Sequence, residues 1–301
     1  MFPRPFWMKI PNTTIEDAFN KVTRTEIDRI RAGDTWTHSV AAKPQNKLRN
    51  RYTDVFPWDK NRVKLPSKHN DYINASHIDL PDSRYIASQG PLRQTIHHFW
   101  SMCYNESQRR GEDDIIIVMI TPLVENNRKK CEKYWPDESW DLSSLLKEDQ
   151  IDLPSMNITN DRSTSFSKFT LTELSLTVGD DVKKVWHYYY HDWADTRTPS
   201  DGLSLIELSN QVHKLKSTKK VQVPIIHCSA GVGRTGTFIA LDYFNIHDEL
   251  LVDAENSDPI YELFQLLRND RLLMIQTLEQ YEFLYEFFSK VVLKDFPFEK
   301  K

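Results

Sequence analysis

The sequence predicts a single α/β domain. Three observations carry this: an unbroken apolar, β-branched run mid-chain, two alternating segments downstream of it, and several stretches of helical period with no repeat or linker between them. Ile115-Ile116-Ile117-Val118-Met119-Ile120 is the run, the pattern of a central strand buried on both faces. Phe169, Leu171, Leu174, Leu176 and Val178 roughly alternate with polar residues, and Val182 to His191 resumes the pattern, which predicts antiparallel hairpin strands. Shorter strands are expected at 71–76, 85–89 and 221–227.

Thr13-Thr14-Ile15-Glu16 has capping-box spacing, and Ile15, Phe19, Val22, Ile27 and Ile30 recur at helical intervals, predicting a helix over 14–32 that ends near Gly33. Further helices are predicted at 94–106, 203–215, 235–251, 260–268 behind Pro259, and 278–293. Residues 137–165 are rich in Asp, Ser and Asn and read as a long surface excursion with at most fragments of structure. At 301 residues the chain is long enough to bury a sizeable core.

The composition narrows the function. Hydrophobic residues make up 39% and charged residues 27%, as in globular proteins, and the net charge of -4 argues against nucleic-acid binding. An acidic substrate would have to be drawn by a local basic site. No stretch approaches the roughly 18 consecutive apolar residues of a membrane helix, and Met1 to Asn12 lacks the apolar core of a secretory signal. A cytoplasmic protein, or one that is also nuclear, is expected. Cys103, Cys131 and Cys228 are widely spaced and form neither a disulfide framework nor a zinc pattern.

Glycine points to the chemistry. The chain has only 8, under half the usual frequency of about 7%, yet Gly231, Gly233 and Gly236 fall close together. They lie in Ile226-His227-Cys228-Ser229-Ala230-Gly231-Val232-Gly233-Arg234-Thr235-Gly236, between a predicted strand and a predicted helix. Such a loop can turn successive backbone N–H groups inward as an anion-binding nest, and the helix adds its positive end. A phosphate held by Ser229 to Gly233 would sit over Cys228 while Arg234 grips two of its oxygens. The same field lowers the thiol pKa, which makes Cys228 a nucleophile.

This His-Cys-x5-Arg-Thr loop resembles the signature of the cysteine-based phosphatases, in the version carried by the tyrosine-specific family. The resemblance extends from about residue 45 to 290. It implies a highly twisted mixed sheet flanked by helices, in a single domain of 1–301 with its core at about 45–290 and residues 1–44 as a helical N-terminal extension of that core. It implies hydrolysis of phosphotyrosine in proteins through a cysteinyl-phosphate, without metal or organic cofactor. The sequence is similar to single-domain fungal members, and a monomer acting on phosphotyrosine proteins, with no nucleic acid or membrane partner, is expected.

The resemblance also assigns residues. The family's general acid lies on a mobile Trp-Pro-Asp loop, and Trp135-Pro136-Asp137 is the literal match. It belongs instead to Lys130-Cys131-Glu132-Lys133-Tyr134-Trp135-Pro136, which resembles a separate structural motif. Trp193-Ala194-Asp195-Thr196-Arg197 is the better match, which makes Asp195 the acid, with Ala194 replacing the proline and Arg197 a common glycine. Gln276 and Gln280 resemble the glutamines that position and assist the hydrolytic water. Asn50-Arg51-Tyr52-Thr53-Asp54 resembles the phosphotyrosine-recognition loop: Tyr52 would stack on the substrate ring and Asp54 would hold its backbone. Tyr72 and Gln89-Gly90-Pro91 match framework motifs. Glu125 would pair with Arg234, Lys130 would approach Asp195, Thr235 would donate to the sulfur, and His227 would organise the loop. Arg268 and Arg271 are expected near the cleft rim, as a solvated basic face or as a grip on a second acidic group.

Three rival readings stand beside this one. A catalytically weak phosphotyrosine-binding module would lack the cysteine, the arginine or the acid. A dual-specificity phosphatase would lack the Tyr52 loop. A redox enzyme would need a resolving cysteine near Cys228 and would have no need of Arg234.

Overall fold

A computed structural model describes residues 4–148, 152–193, 198–199, 201–219 and 221–293. Helix α1 (Asn12–Ala32) opens the chain with Pro11 at its cap and no side-chain cap hydrogen bond, so the Thr13–Glu16 capping box is not used. It ends at Gly33, φ 66°, in the left-handed conformation glycine favours. Strands β1 (Arg62–Lys64), β2 (Tyr72–Leu80) and β3 (Ser83–Ser88) lead to α2 (Ile96–Arg110) and β4 (Asp114–Ile120). A small hairpin, β5 (Val124–Glu125) and β6 (Arg128–Lys129), precedes β7 (Ser139–Asp141), β8 (Asn157–Ser165), β9 (Phe169–Val178) and β10 (Asp181–Tyr190). Then come α3 (Gly202–Lys219), β11 (Ile225–His227), α4 (Gly233–Ile246), the short α5 (Glu249–Val252), α6 (Pro259–Asp270) and α7 (Leu278–Val292).

The surface excursion expected over 137–165 is corrected: it contributes β7 and the nine-residue β8 to the main sheet. Within β8 only Ile158 is buried, opposite Leu176 of β9. A strand with one inward apolar residue has no alternation to detect, and it forms because β9 offers it a full ladder.

Among the described residues, nine strands form one mixed sheet in the order β1-β2-β3-β11-β4-β10-β9-β8-β7. The centre, β3-β11-β4-β10, is parallel, and both flanks are antiparallel. The apolar run of β4 explains why it is central. Ile116, Val118 and Ile120 enter one core with residues of α1, α3, α4, α6 and α7, while Ile115, Ile117 and Met119 enter a second core with Phe99 and Trp100 of α2. Successive strand side chains point to opposite faces, so a strand covered on both sides must be apolar at every position. No described helix is long and apolar enough to cross a membrane.

Candidate active site

The four parallel strands end on the same side of the sheet, at Ser88, Ile120, Tyr190 and His227. In a parallel sheet this edge is where ligands bind, because the connecting loops gather there. Those loops carry Gln89–Pro91, the β5–β6 hairpin with Lys130, Trp193, and the segment from Cys228 to Val232 that leads into α4.

Cys228 is 3% exposed, and the Gly231 N–H donates to its sulfur at 3.2 Å. Gly231 has φ 74°, and a Cβ there would run into the Ser88 carbonyl and approach the Gln89 nitrogen at 2.8 Å. Only glycine gives this turn in this space. Burial pushes the Cys228 thiol pKa up, but the Arg234 guanidinium, the Thr235 hydroxyl and the N–H groups of Thr235 and Val232 outweigh it. The net pKa lies below that of an ordinary thiol, as a helix N-terminus beside a cation should make it. The Thr235 hydroxyl is buried with no hydrogen-bond partner among the described residues, and it lies near enough to the sulfur to help lower the thiol pKa.

His227 fixes the loop from the strand side. Its Nδ1 lies 3.0 Å from the Cys228 carbonyl, which can only accept, so Nδ1 carries the proton. Nε2 must then accept from the Tyr134 hydroxyl at 2.7 Å, and that oxygen accepts from His187 Nε2 at 2.7 Å. Burial lowers the pKa of His227 to about 4 and that of His187 to about 3, so both imidazoles are neutral. The neutral relay suits a positioning part better than a proton shuttle. Tyr134 belongs to the Lys130–Pro136 motif that leads into Asp137. Asp137 itself has a 91% exposed side chain paired with Lys133 at 2.5 Å, well suited to a surface role.

A cleft of about 130 Å³ opens over the sulfur, lined by Tyr52, Asp54, Val55, Cys228, Ser229, Ala230, Gly233, Arg234 and Gln276. Ser229 Oγ donates to the Lys130 carbonyl at 2.7 Å, so it accepts from the Tyr52 hydroxyl at 2.8 Å. Arg51 holds the same wall, donating to the Gly90 carbonyl at 3.0 Å and the Pro91 carbonyl at 2.6 Å. Its own N–H donates to Gln89 Oε1, and the Tyr72 hydroxyl donates to Asn50. The framework motifs thus fasten the Tyr52 loop to the edge of the sheet. Asp54 is exposed at the mouth.

Arg234 Nη1 donates to the Trp193 carbonyl at 2.7 Å, and the Trp193 ring is buried. Asp195, with Ala194 and Arg197, lies outside the described residues. Lys130 Nζ stands 3.7 Å from Glu125 Oε2. The hairpin that carries Glu125 turns through Asn126 and Asn127 at φ 49° and 57°, a turn for which asparagine is well suited. Gln276 reaches the cleft. Gln280 is 1% exposed and is not among the lining residues; its Oε1 accepts from the Gln276 N–H at 3.1 Å. The Gln280 amide also lies beside Gly233 of the loop, so it links Gln276 to the start of α4.

The rim position of Arg268 and Arg271 is corrected. Both are buried. Arg271 donates to the Gly231 carbonyl at 2.8 Å and the Ala230 carbonyl at 3.1 Å, and also to Asn74 and Ser76. Burial lowers its pKa only to about 10, so it stays charged beneath the loop. Arg268 pairs with Glu26 of α1 at 2.6 Å. Sequence reasoning missed Arg271 as a prop of the phosphate loop, and Tyr134 and His187 as its relay. Their sequence distances from Cys228 leave no local pattern to find.

Comparison with known proteins agrees with this geometry. A family model for protein-tyrosine phosphatase matches residues 46–290. Tyrosine-protein phosphatase 1 of Saccharomyces cerevisiae is 34% identical, over 95% of this chain and 96% of its own length. Human tyrosine-protein phosphatase non-receptor type 2 is 34% identical over 83% of this chain and 57% of its own length. Tyrosine-protein phosphatase 2 of Schizosaccharomyces pombe is 36% identical over 79% of this chain and 33% of its own length. With the nine-stranded mixed sheet and the Cys228 loop at its centre, the chain belongs to the protein-tyrosine phosphatase family.

Proposed function

We propose that the chain hydrolyses phosphotyrosine in proteins, with Cys228 as nucleophile and Asp195 as general acid and then base. The observation that carries the reading is the buried Cys228 sulfur on the cleft floor, 3.2 Å from the Gly231 nitrogen, with its pKa pulled below the ordinary value by Arg234 and Thr235. A phosphate above it meets the backbone N–H groups of the loop and the positive end of α4.

In the first step the Cys228 thiolate attacks phosphorus and an S–P bond forms. The P–O bond to tyrosine breaks, and the phenolic oxygen leaves with a proton from Asp195. In the second step Gln276 positions a water whose oxygen attacks phosphorus, and Asp195 takes its proton. The S–P bond breaks, Cys228 leaves as thiolate eased by the Thr235 hydroxyl, and inorganic phosphate is released. The Tyr52 wall makes the cleft deep, which favours a tyrosyl over a seryl phosphate. Three free buried cysteines fit a reducing compartment such as the cytoplasm.

The test is turnover of a phosphotyrosine peptide. Hydrolysis that survives chelators, stops with vanadate and is lost in Cys228→Ser, while that variant still binds the peptide, is the expected result. Activity abolished by chelation, or retained in Cys228→Ser, overturns the reading. Asp195→Ala should trap substrates, and its pull-down identifies the phosphoproteins bound.

A further inference from the structure

The segment that carries Gln276 into the cleft is strained. Leu273 has φ 63° and Ile275 has φ 55°, left-handed conformations that a bulky or β-branched residue rarely adopts. Such backbone persists only where its surroundings over-determine it. Here they do, through one buried ion pair. Glu26 Oε1 accepts from the Leu273 N–H at 3.0 Å, and Glu26 Oε2 accepts from Arg268 Nη1 at 2.6 Å. Arg268 in turn donates from Nε to the Met274 carbonyl at 2.6 Å and from Nη2 to the Ile275 carbonyl at 3.1 Å. The Ile275 N–H donates to the Val232 carbonyl at 3.2 Å, which ties the strained turn to the phosphate loop. Glu26 lies on α1, outside the residues 46–290 that the family model matches.

We propose that Glu26, acting through Arg268, is a positioning residue for the second chemical step: it holds the Leu273–Ile275 turn so that Gln276 directs water at the cysteinyl-phosphate. This rests on the reading of Cys228 and Gln276 given above. The ion pair holds the turn that runs directly into Gln276 and meets the phosphate loop through the Ile275 N–H on the Val232 carbonyl, so its loss should fall on the second step more than on the first. The α1 helix is thereby part of the catalytic apparatus and not only a packing element.

The experiment is rapid mixing of the full chain with p-nitrophenyl phosphate, reading burst amplitude, kcat and kcat/KM for wild type, Glu26→Ala, Glu26→Gln, Gln276→Ala and the Glu26→Ala/Gln276→Ala pair. Phosphorylation of Cys228 sets kcat/KM, and water attack limits kcat once the second step slows. For Glu26→Ala we expect kcat to fall about tenfold, kcat/KM to stay within about twofold, and the burst to approach one nitrophenol per enzyme. Glu26→Gln, which keeps an acceptor, should fall less, and the double variant should be no slower than Gln276→Ala. If Glu26→Ala does not fold, Glu26→Gln carries the test by the same split.

A merely structural role would lower kcat and kcat/KM in proportion, or lower the titratable Cys228, and that result overturns the inference. Unchanged kcat in both Glu26 variants overturns it as well, while leaving the Cys228 chemistry intact if Gln276→Ala still shows the burst. If Gln276→Ala shows no second-step defect, or no variant forms a phosphoenzyme, the underlying reading fails and this inference fails with it.

Discussion

The Arg234 guanidinium donates from Nη1 to the Trp193 carbonyl at 2.7 Å, so the cation at the end of the phosphate loop also holds the backbone two residues before Asp195. A planar fork can hold a carbonyl and still present further N–H groups to a phosphate; an ammonium cannot do both in fixed directions. Arg234→Lys should therefore lower kcat by about 10²–10³-fold or more, the scale of losing a preorganised donor to the transition state. Steady-state kinetics with a phosphotyrosine peptide checks it, alongside circular dichroism to show the fold unchanged.

Alkylation should report the lowered thiol pKa. A depressed pKa keeps Cys228 as thiolate at pH values where a free cysteine is protonated. The rate of inactivation by iodoacetamide should thus reach its plateau at lower pH than that of a cysteine peptide. Because Arg234 is the largest of the lowering influences, Arg234→Ala should move the profile to higher pH. Coincident profiles for wild type and peptide would show that the loop does not stabilise the thiolate.

Two glycines of similar conformation should respond differently to alanine. Gly179 has φ 59° with open space around its missing Cβ, whereas Gly231 has φ 74° against the Ser88 carbonyl. Gly179→Ala should cost about 1–2 kcal/mol, the left-handed penalty alone. Gly231→Ala adds a backbone collision, should cost more than that, and should abolish turnover. Urea unfolding and a kinetic assay compare the pair.

The buried imidazoles should make the fold acid-sensitive. Their folded pKa values, about 4 for His227 and about 3 for His187, lie below the ordinary 6.5. Folding therefore favours the neutral form, and the stabilisation is fully present above about pH 6.5 and lost as pH falls toward the folded values. Between pH 6.5 and pH 5 the unfolded chain gains protons the folded one refuses, which removes about 2 kcal/mol per histidine. His187→Phe should be less stable than wild type at pH 7.5 yet show a shallower decline by pH 5, measured by urea midpoints.

Tyr52 should govern the choice of substrate. Its ring lines the cleft and its hydroxyl is fixed on Ser229. Tyr52→Ala should raise KM for a phosphotyrosine peptide by about tenfold, the cost of losing one aromatic contact of roughly 1–1.5 kcal/mol, and should narrow the preference over phosphothreonine. Tyr52→Phe, which keeps the ring, should change KM far less. Equal effects of Tyr52→Ala on both peptides would remove it from specificity.

What the sequence by itself determined is local. The Cys228–Thr235 loop needs glycine, thiol, cation and helix start within a few residues, and the β4 run must be apolar throughout because both its faces are covered; such requirements are written contiguously. Tyr52 and Asp54, which line the cleft, likewise sit in one contiguous stretch. What only the tertiary structure decided is long-range. Arg271 and Arg268 have the composition of a solvated face, and only the packing of α6 beneath the phosphate loop and against α1 turns them inward to satisfy carbonyls that water cannot reach. Tyr134 and His187 meet His227 because β10 and β11 both flank β4, and β8 exists because β9 presents it a free edge. A buried polar group is chosen by its partners, and those are assigned by the fold, not by neighbours along the chain.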